Sequence, residues 1–476
     1  MVSTFGGLST AYSGLNAARL GLDVVGQNIT NASTEGYTRQ RINTSAVGAV
    51  ALVGPLAGGA PAVGQGVFIN GVDRIGDAFL DARVRSTAAT AGNLAVQSNS
   101  LTNVQASLNE PGTNGISAQL QQFWSAWGDV QNAPGDAAPA GVLIQKATQI
   151  TNQIASGYKD VDAEWSSSRS KLSGMVDELN SSGQQVAALN AQIRTTLRAG
   201  GSANELVDQR NALTTNIAAL TGGAVRDLPD GTQEVLVGGN ALVSGDTFHA
   251  LALTGSTNMA GAATNPLALQ WVDRPTLPVS VESGEIAGEL SILAPANGTG
   301  TGGAIAEAAQ GYNDFATYLA NAVNTVHAGG ATPTGATGLN FFGVAATGPA
   351  ALGLSVIPTD ANGIATGTPG AGALDGSNAD KIAALGSAVD SPDSVWTSFV
   401  TKIGTLTKSV TAQATLADTA AKGASKAQLS SASVDMDEEN VNMLTFQTSY
   451  QGAARVLTSI DEMLDTLINH TGIVGR

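Results

Sequence analysis

The sequence predicts a mainly α-helical protein with a β-rich middle domain, its N- and C-terminal helices paired as a coiled coil. Three observations carry this. Leu8, Tyr12, Leu15, Ala18, Leu22, Val25 and Ile29 follow one another at steps of three or four residues. That is one helix face near the coiled-coil period. Met443, Phe446, Tyr450, Ala453, Leu457, Ile460, Leu464 and Leu467 repeat the pattern at the other end without a miss. Between them, "LPDGTQEVLVGGNALVSGD" (228–246) reads as strand, tight turn and strand, entered by Asp230-Gly231.

Each element can be justified in order. Across 8–29 only Arg19 and Asp23 are charged, and Gly7, Gly14 and Gly21 recur every seven residues. Each glycine costs about 1 kcal/mol against alanine in a helix interior. The row therefore marks either a weak, fraying helix or a smooth edge where another backbone comes close. Asn31 or Gly36 can end this helix, since both tolerate the left-handed conformation. Alternation around Val67 and Ile69, flanked by glycines, predicts a hairpin region over 45–75. Helical spacing returns over 78–108 and again over 116–136, where a Pro-Gly stop follows. A long helix is predicted from Val142 to about Ala199, and another from Asn204 to Thr221. After the strands, 267–281 looks extended, 304–330 is a helix and 351–376 is extended and loop-rich. Helices resume from Asp380 to about Leu429. Asp435 and Glu438 form a capping pair for the last helix, and the acids at 435–439 suit its N-terminus.

Composition narrows the function. The 476 residues suggest about three domains. Hydrophobic residues make up 43%, ample for folded cores, but charged residues only 13%, so the surface is polar rather than ionic. Net charge is −16, with no Lys/Arg cluster, which argues against nucleic acid and anionic membrane surfaces as partners. No cysteine is present, which removes disulfides and thiolate chemistry. No apolar run reaches the ~18 residues of a membrane span. "MVSTFGGLSTAYSGLN" lacks the basic and apolar regions of a cleaved signal. A cytosolic protein, or one exported without a cleaved signal, is expected.

No catalytic, metal or cofactor constellation emerges. His249, His327 and His470 lie far apart with no metal-ligand spacing. "DMDEEN" (435–440) lacks the glycine that a calcium loop needs at its sixth position, where Asn440 stands. "NGTGTGGA" (297–304) has the glycine content of a phosphate loop without its G-K-[ST], and is read as a flexible linker. Trp124 and Trp127 share a helix face and belong to a core. No cofactor is expected, and no residue stands out as catalytic.

An apolar stripe this long is marginal as an isolated helix. Each end is expected to need the other, and then copies from neighbouring molecules. "NITNASTEGYTRQR" (28–41) adds a label to that expectation. With the preceding helix it resembles the N-terminal signature of the bacterial flagellar axial proteins, N-x-x-N-x-x-T-x-G-Y: here Asn28, Asn31, Thr34, Gly36 and Tyr37. The two N-x-[ST] matches in this stretch, at Asn28 and Asn31, are then read as a helix end in preference to glycosylation sites. Four separated motifs, at 36–41, 115–147, 204–213 and 433–469, most resemble the hook–filament junction (hook-associated) family within that group.

The resemblance implies a structural subunit, exported by the flagellum-specific type III route and self-assembling at the hook tip to join hook to filament. It implies as partners other copies of the chain, the hook protein, a second junction protein on the filament side, and an export chaperone at the C-terminal helix. It also implies three domains: a terminal coiled coil (1–43 and 434–476), an α-helical inner domain (44–225 and 376–433), and a β-rich outer domain (226–375), with helix 304–330 able to join the inner one. The expected assembly contact is Leu8, Tyr12, Leu15, Leu22, Val25 and Ile29 with Met443, Phe446, Tyr450, Leu457, Ile460, Leu464 and Leu467. A hook or other axial subunit is the nearest alternative; a secreted adhesin or cryptic glycan hydrolase is the distant one.

Overall fold

The computed structural model describes residues 4–34, 36–48 and 64–470. Helix α1 (Thr4–Thr30) opens the chain and stops at Asn31. Gly36, at φ 78°, then turns it into an antiparallel pair, β1 (Gln40–Ala46) and β2 (Val67–Arg74). Strand β2 lies in the hairpin region expected over 45–75, but β1 begins five residues ahead of it, at Gln40, and 49–63 fall outside the described residues.

Four helices follow: α2 (Ala78–Ser107), α3 (Ile116–Asn132), α4 (Ala137–Arg198) and α5 (Asn204–Thr221). Local chemistry sets their limits. Asp77 and Asp136 accept hydrogen bonds from the first free amides of α2 and α4. Gly222, at φ 67°, ends α5 in the left-handed conformation. Helix α4 starts five residues before the predicted Val142. Its cap is Asp136, and Pro139 is tolerated in the first turn, where amides have no helical partner.

The β-rich middle is small. Strands β3 (Ala224–Asp227), β4 (Gln233–Val237), β5 (Asn240–Ser244) and β6 (Thr247–Phe248) form an antiparallel meander. Gly238 and Gly239, both at positive φ, make the tight β4–β5 turn. Strand β7 (Leu251–Thr254) pairs with β8 (Ala268–Trp271) around a short helix, α6 (Met259–Ala262). Then come α7 (Glu285–Ile292), α8 (Ala304–Ala328), β9 (Phe342–Val344), α9 (Ala350–Gly353), β10 (Leu354–Val356) and α10 (Ser377–Ala383). Helix α11 (Pro392–Ala432) returns along α2, and α12 (Met436–Asp465) returns to α1. The segment 297–304 is ordered rather than a flexible linker. The Asn297 side chain accepts from the amides of Thr299 and Thr301, and Glu307 Oε1 accepts from those of Asn297 and Gly302.

One apolar core runs from α2–α5 through α8 and α11 into β4, β5 and β8. Trp127, Trp165, Trp271, Trp396, Phe123, Phe315 and Phe341 are fully buried in it. Trp124 and Trp127 both belong to it, as their shared face predicts. Helix α8 packs tightly on α4: a Cβ at Gly157 would fall 2.4 Å from the Tyr312 ring.

His327 is fully buried beside Trp127 and Phe341. Its Nδ1 donates to the Leu339 carbonyl at 2.7 Å, and its Nε2 accepts the Ala365 amide at 2.9 Å. Only the neutral ring can make both bonds, and burial pushes its pKa below the ordinary 6.5. This contribution to stability is whole above 6.5 and is lost as pH falls through the depressed folded value. Between pH 7.5 and 5, thermal melts of the protein should therefore lose more stability than those of His327→Gln, whose side chain does not titrate. Parallel pH profiles would refute this.

Candidate assembly interface

Helices α1 and α12 run antiparallel. A Cβ at Gly21 would sit 2.5 Å from the Phe446 ring, and one at Gly7 3.4 Å from Ile460 Cδ1. The same register, seven residues on along one helix and seven back along the other, puts Gly14 opposite Ala453. Nothing lies within 4 Å of a Cβ there. The glycine row thus faces the heptad Phe446, Ala453 and Ile460. Gly21 is the position where close approach forbids a side chain; Gly7 and Gly14 leave room for one.

The predicted contact residues divide by burial within the single chain. Val25 and Ile460 are buried. Leu8, Leu15, Leu22, Ile29, Met443, Phe446, Leu457 and Leu464 are half-buried. Tyr12 (60% exposed), Tyr450 (37%) and Leu467 (64%) face outward. Ala11, Ala18 and Val24 are buried on α1 as well. Periodicity underrates small residues, which can pack closest to a partner backbone. Beyond the seam the pair exposes Phe5, Val441, Leu444, Val456 and Met463. Ile460 and Glu439 are the two fully buried residues of α12.

A polar anchor fixes the pair to the rest of the molecule. Asn28, at the end of α1, is buried with all four hydrogen-bonding positions filled. Its Nδ2 donates to the Gln40 carbonyl at 2.9 Å and to Glu439 Oε2 at 3.1 Å. Its Oδ1 accepts the Tyr37 hydroxyl at 2.9 Å and the Gln40 amide at 3.0 Å. Asn31 is likewise used at the helix end, donating to the Gln27 carbonyl at 3.0 Å.

Glu439, 1% exposed, receives Arg39 Nε on its other oxygen at 2.7 Å. Arg39 NH1 reaches Glu438 at 2.6 Å. The expected capping pair is corrected here. Asp435 caps α12 by accepting from the amides of Asp437 and Glu438, while the Glu438 carboxylate goes to Arg39. A guanidinium draws a carboxylate more strongly than a neutral amide does.

The Arg39 backbone extends the link: its amide donates to Ala432 at the end of α11, and its carbonyl accepts from Ile75. Next to it, Asp208 on α5 accepts the Thr38 amide at 3.0 Å and pairs with Arg74 at the end of β2. Asn204 donates to Gln40 and to the Val72 carbonyl, both at 3.0 Å. Burial and the charges of Glu205, Asp208 and Glu439 push the Tyr37 hydroxyl up to about 12, so it remains a donor to Asn28. Sequence reasoning missed Arg39, Arg74, Asp208 and Glu439. Their signal was rarity: few charges exist in this chain, and several meet here.

Among the described residues, no group of three or more His, Asp or Glu could hold a metal ion, and no helix is long and apolar enough to cross a membrane. His249 pairs with Asp273 and His327 lies in the core; the His470 side chain is outside the described residues.

Comparison with known proteins places these parts. A family model described as the flagellar hook-associated protein FlgK helical domain matches residues 101–342. Models of a flagella basal body rod protein and of the flagellar basal body rod FlgEFG protein C-terminal match 8–38 and 427–470. The chain is 27% identical to flagellar hook-associated protein 1 of Bacillus subtilis, with 100% of both chains covered. It is 28% identical to the Escherichia coli protein of that name over 71% of this chain and 60% of the relative, so it spans under two thirds of that longer protein. The flagellar hook junction protein FlgK from Burkholderia pseudomallei shares the fold at a TM-score of 0.63 and 14% identity, over 73% of this chain and 100% of its own.

Arg39→Ala would leave Glu439 buried beside Asn28 alone. The expected cost is about 3 kcal/mol, the low end for an orphaned buried charge, because Arg39 itself keeps 20% exposure. Limited proteolysis should then cut α1 and α12 sooner while the helical block resists. An unchanged digestion pattern would show that the anchor does not hold the ends.

Proposed function

The chain belongs to the FlgK family of flagellar hook-associated proteins, and from that premise we propose how it joins hook to filament. It is a structural, self-assembling subunit of the bacterial flagellum, secreted and extracellular, at the hook–filament junction. The observation that carries the mechanism is the unfinished burial of the α1–α12 pair. One flank of α12 is covered by α1, while Val441, Leu444, Val456 and Met463 face outward. A two-helix pair with large exposed apolar side chains gains by burying them against further helices.

In this reading the same pair from neighbouring copies covers those side chains, and Tyr12, Tyr450 and Leu467 complete the contact begun by the buried seam. The anchor around Glu439 sets the angle at which each pair leaves its helical block. Residues 1–43 and 434–476 act as the terminal assembly domain. Residues 44–225 and 376–433 act as the inner domain, joined by α8, and 226–375 acts as a β-rich outer part packed on the same core. Hook protein on one side and the second junction protein on the other are the proposed neighbours. An export chaperone would shield the exposed stripe of α12 before assembly.

Leu457→Asp tests the mechanism. It puts a charge on the half-buried stripe, away from the anchor. The variant should be exported at the normal level yet fail to enter the flagellum, leaving hooks without filaments. Filaments of normal length on cells carrying only this variant would overturn the reading.

A further inference from the structure

Helix α7 lies against α2 with almost no space between backbones. A Cβ at Gly288 would fall 2.8 Å from the Asn93 carbonyl oxygen, and one at Gly92 would fall 2.8 Å from Glu285 Cγ. This approach carries Glu289 inside, where it is 3% exposed. Its Oε2 has no hydrogen-bond partner among the described residues, and neither has the Oγ of Ser100, also 3% exposed. Both residues line a cavity of about 350 Å³ between α2, α4 and α7. A buried carboxylate oxygen without a partner is costly and calls for a donor or a cation.

We propose that this cavity binds a small primary alkylammonium cation, its head on Glu289 and Ser100 and its chain against Val96 and Met175. The lining favours this class over a metal ion. No set of three ligating side chains is present among the described residues, and Lys171 on the wall opposes a divalent charge. An ammonium brings three donors to a site rich in acceptors, and Val96 and Met175 offer an apolar surface for a short chain.

The cation binds the ionised carboxylate, and the surroundings set when that form exists. Burial is the main force raising Glu289 to about 7; Glu164 on α4 and Glu285 on α7 add to it, while Lys171 and the Ser168 hydroxyl on α4 oppose it. The α2 wall contributes no ionisable group. An alkylammonium stays charged across this range, so it should bind about tenfold more tightly at pH 8 than at pH 6 and release a proton from the site.

The test is calorimetric titration of the full chain with n-butylammonium chloride at both pH values, against potassium chloride and n-butanol as controls. Saturable binding by butylammonium alone, tighter at pH 8 and lost in Glu289→Gln, is the expected result. The variant replaces the acid with a neutral isostere, and circular dichroism checks its fold. The pH dependence of the unaltered protein supplies a second reading that needs no variant. No saturable binding, binding that survives Glu289→Gln, or equal affinity at the two pH values would each overturn the proposal. Loss of flagellar assembly is not part of the readout, so this inference stands or falls apart from the junction role.

Discussion

The architecture depends on one buried carboxylate. Glu439 sits in the first turn of α12, almost fully withdrawn from water. A charge in that position needs compensation. The positive end of α12 supplies part of it; Arg39 and Asn28 supply the rest. Those partners come from the turn between α1 and the hairpin, and that turn is tied in turn to α11 and α5. Meeting the needs of one acid therefore brings five segments together at a single point.

This arrangement separates orientation from adhesion. The seam between α1 and α12 is apolar and non-directional, and outside the close Gly21–Phe446 contact its small residues leave room for adjustment. The anchor is polar and directional, with hydrogen bonds that fit one register. Buried polar groups often add little net stability but exclude alternatives. Here they hold a sticky pair at a defined angle while leaving its outer face uncovered. For a subunit that must meet identical neighbours repeatedly, a fixed angle matters as much as the strength of contact.

Local periodicity made the helices legible. The stripes at both ends, the long α4 and the helix at 304–328 all follow from spacing, but spacing alone misplaces the start of α4 by five residues because it overlooks the Asp136 cap. Two strands of the meander, β4 and β5, were legible in the strand–turn–strand pattern of 228–246; β3 and β6 were not. What escaped were interactions between residues distant in sequence. Glu438 stands where a cap partner should, and only the folded chain brings Arg39 to it. The glycines of 297–304 suggested slack, yet two side-chain acceptors order that loop. Glu289 sits in a short helix whose charge gives no local sign of burial; the reason is the glycine contact with α2. Outward-facing Tyr12 and Tyr450 follow the stripe in sequence, but a single chain covers them only in part.

The bond from Asn28 to Glu439 spans 411 positions of the chain. Any polypeptide delivered end first must hold its opening helix in waiting until nearly all of it has arrived. A product missing that acid would leave the Asn28 amide short of an acceptor and Arg39 short of its innermost counter-ion. Closure of the two extremities therefore waits on residues 411 positions apart: the sticky pair can take up its anchored angle only once Glu439 is in place.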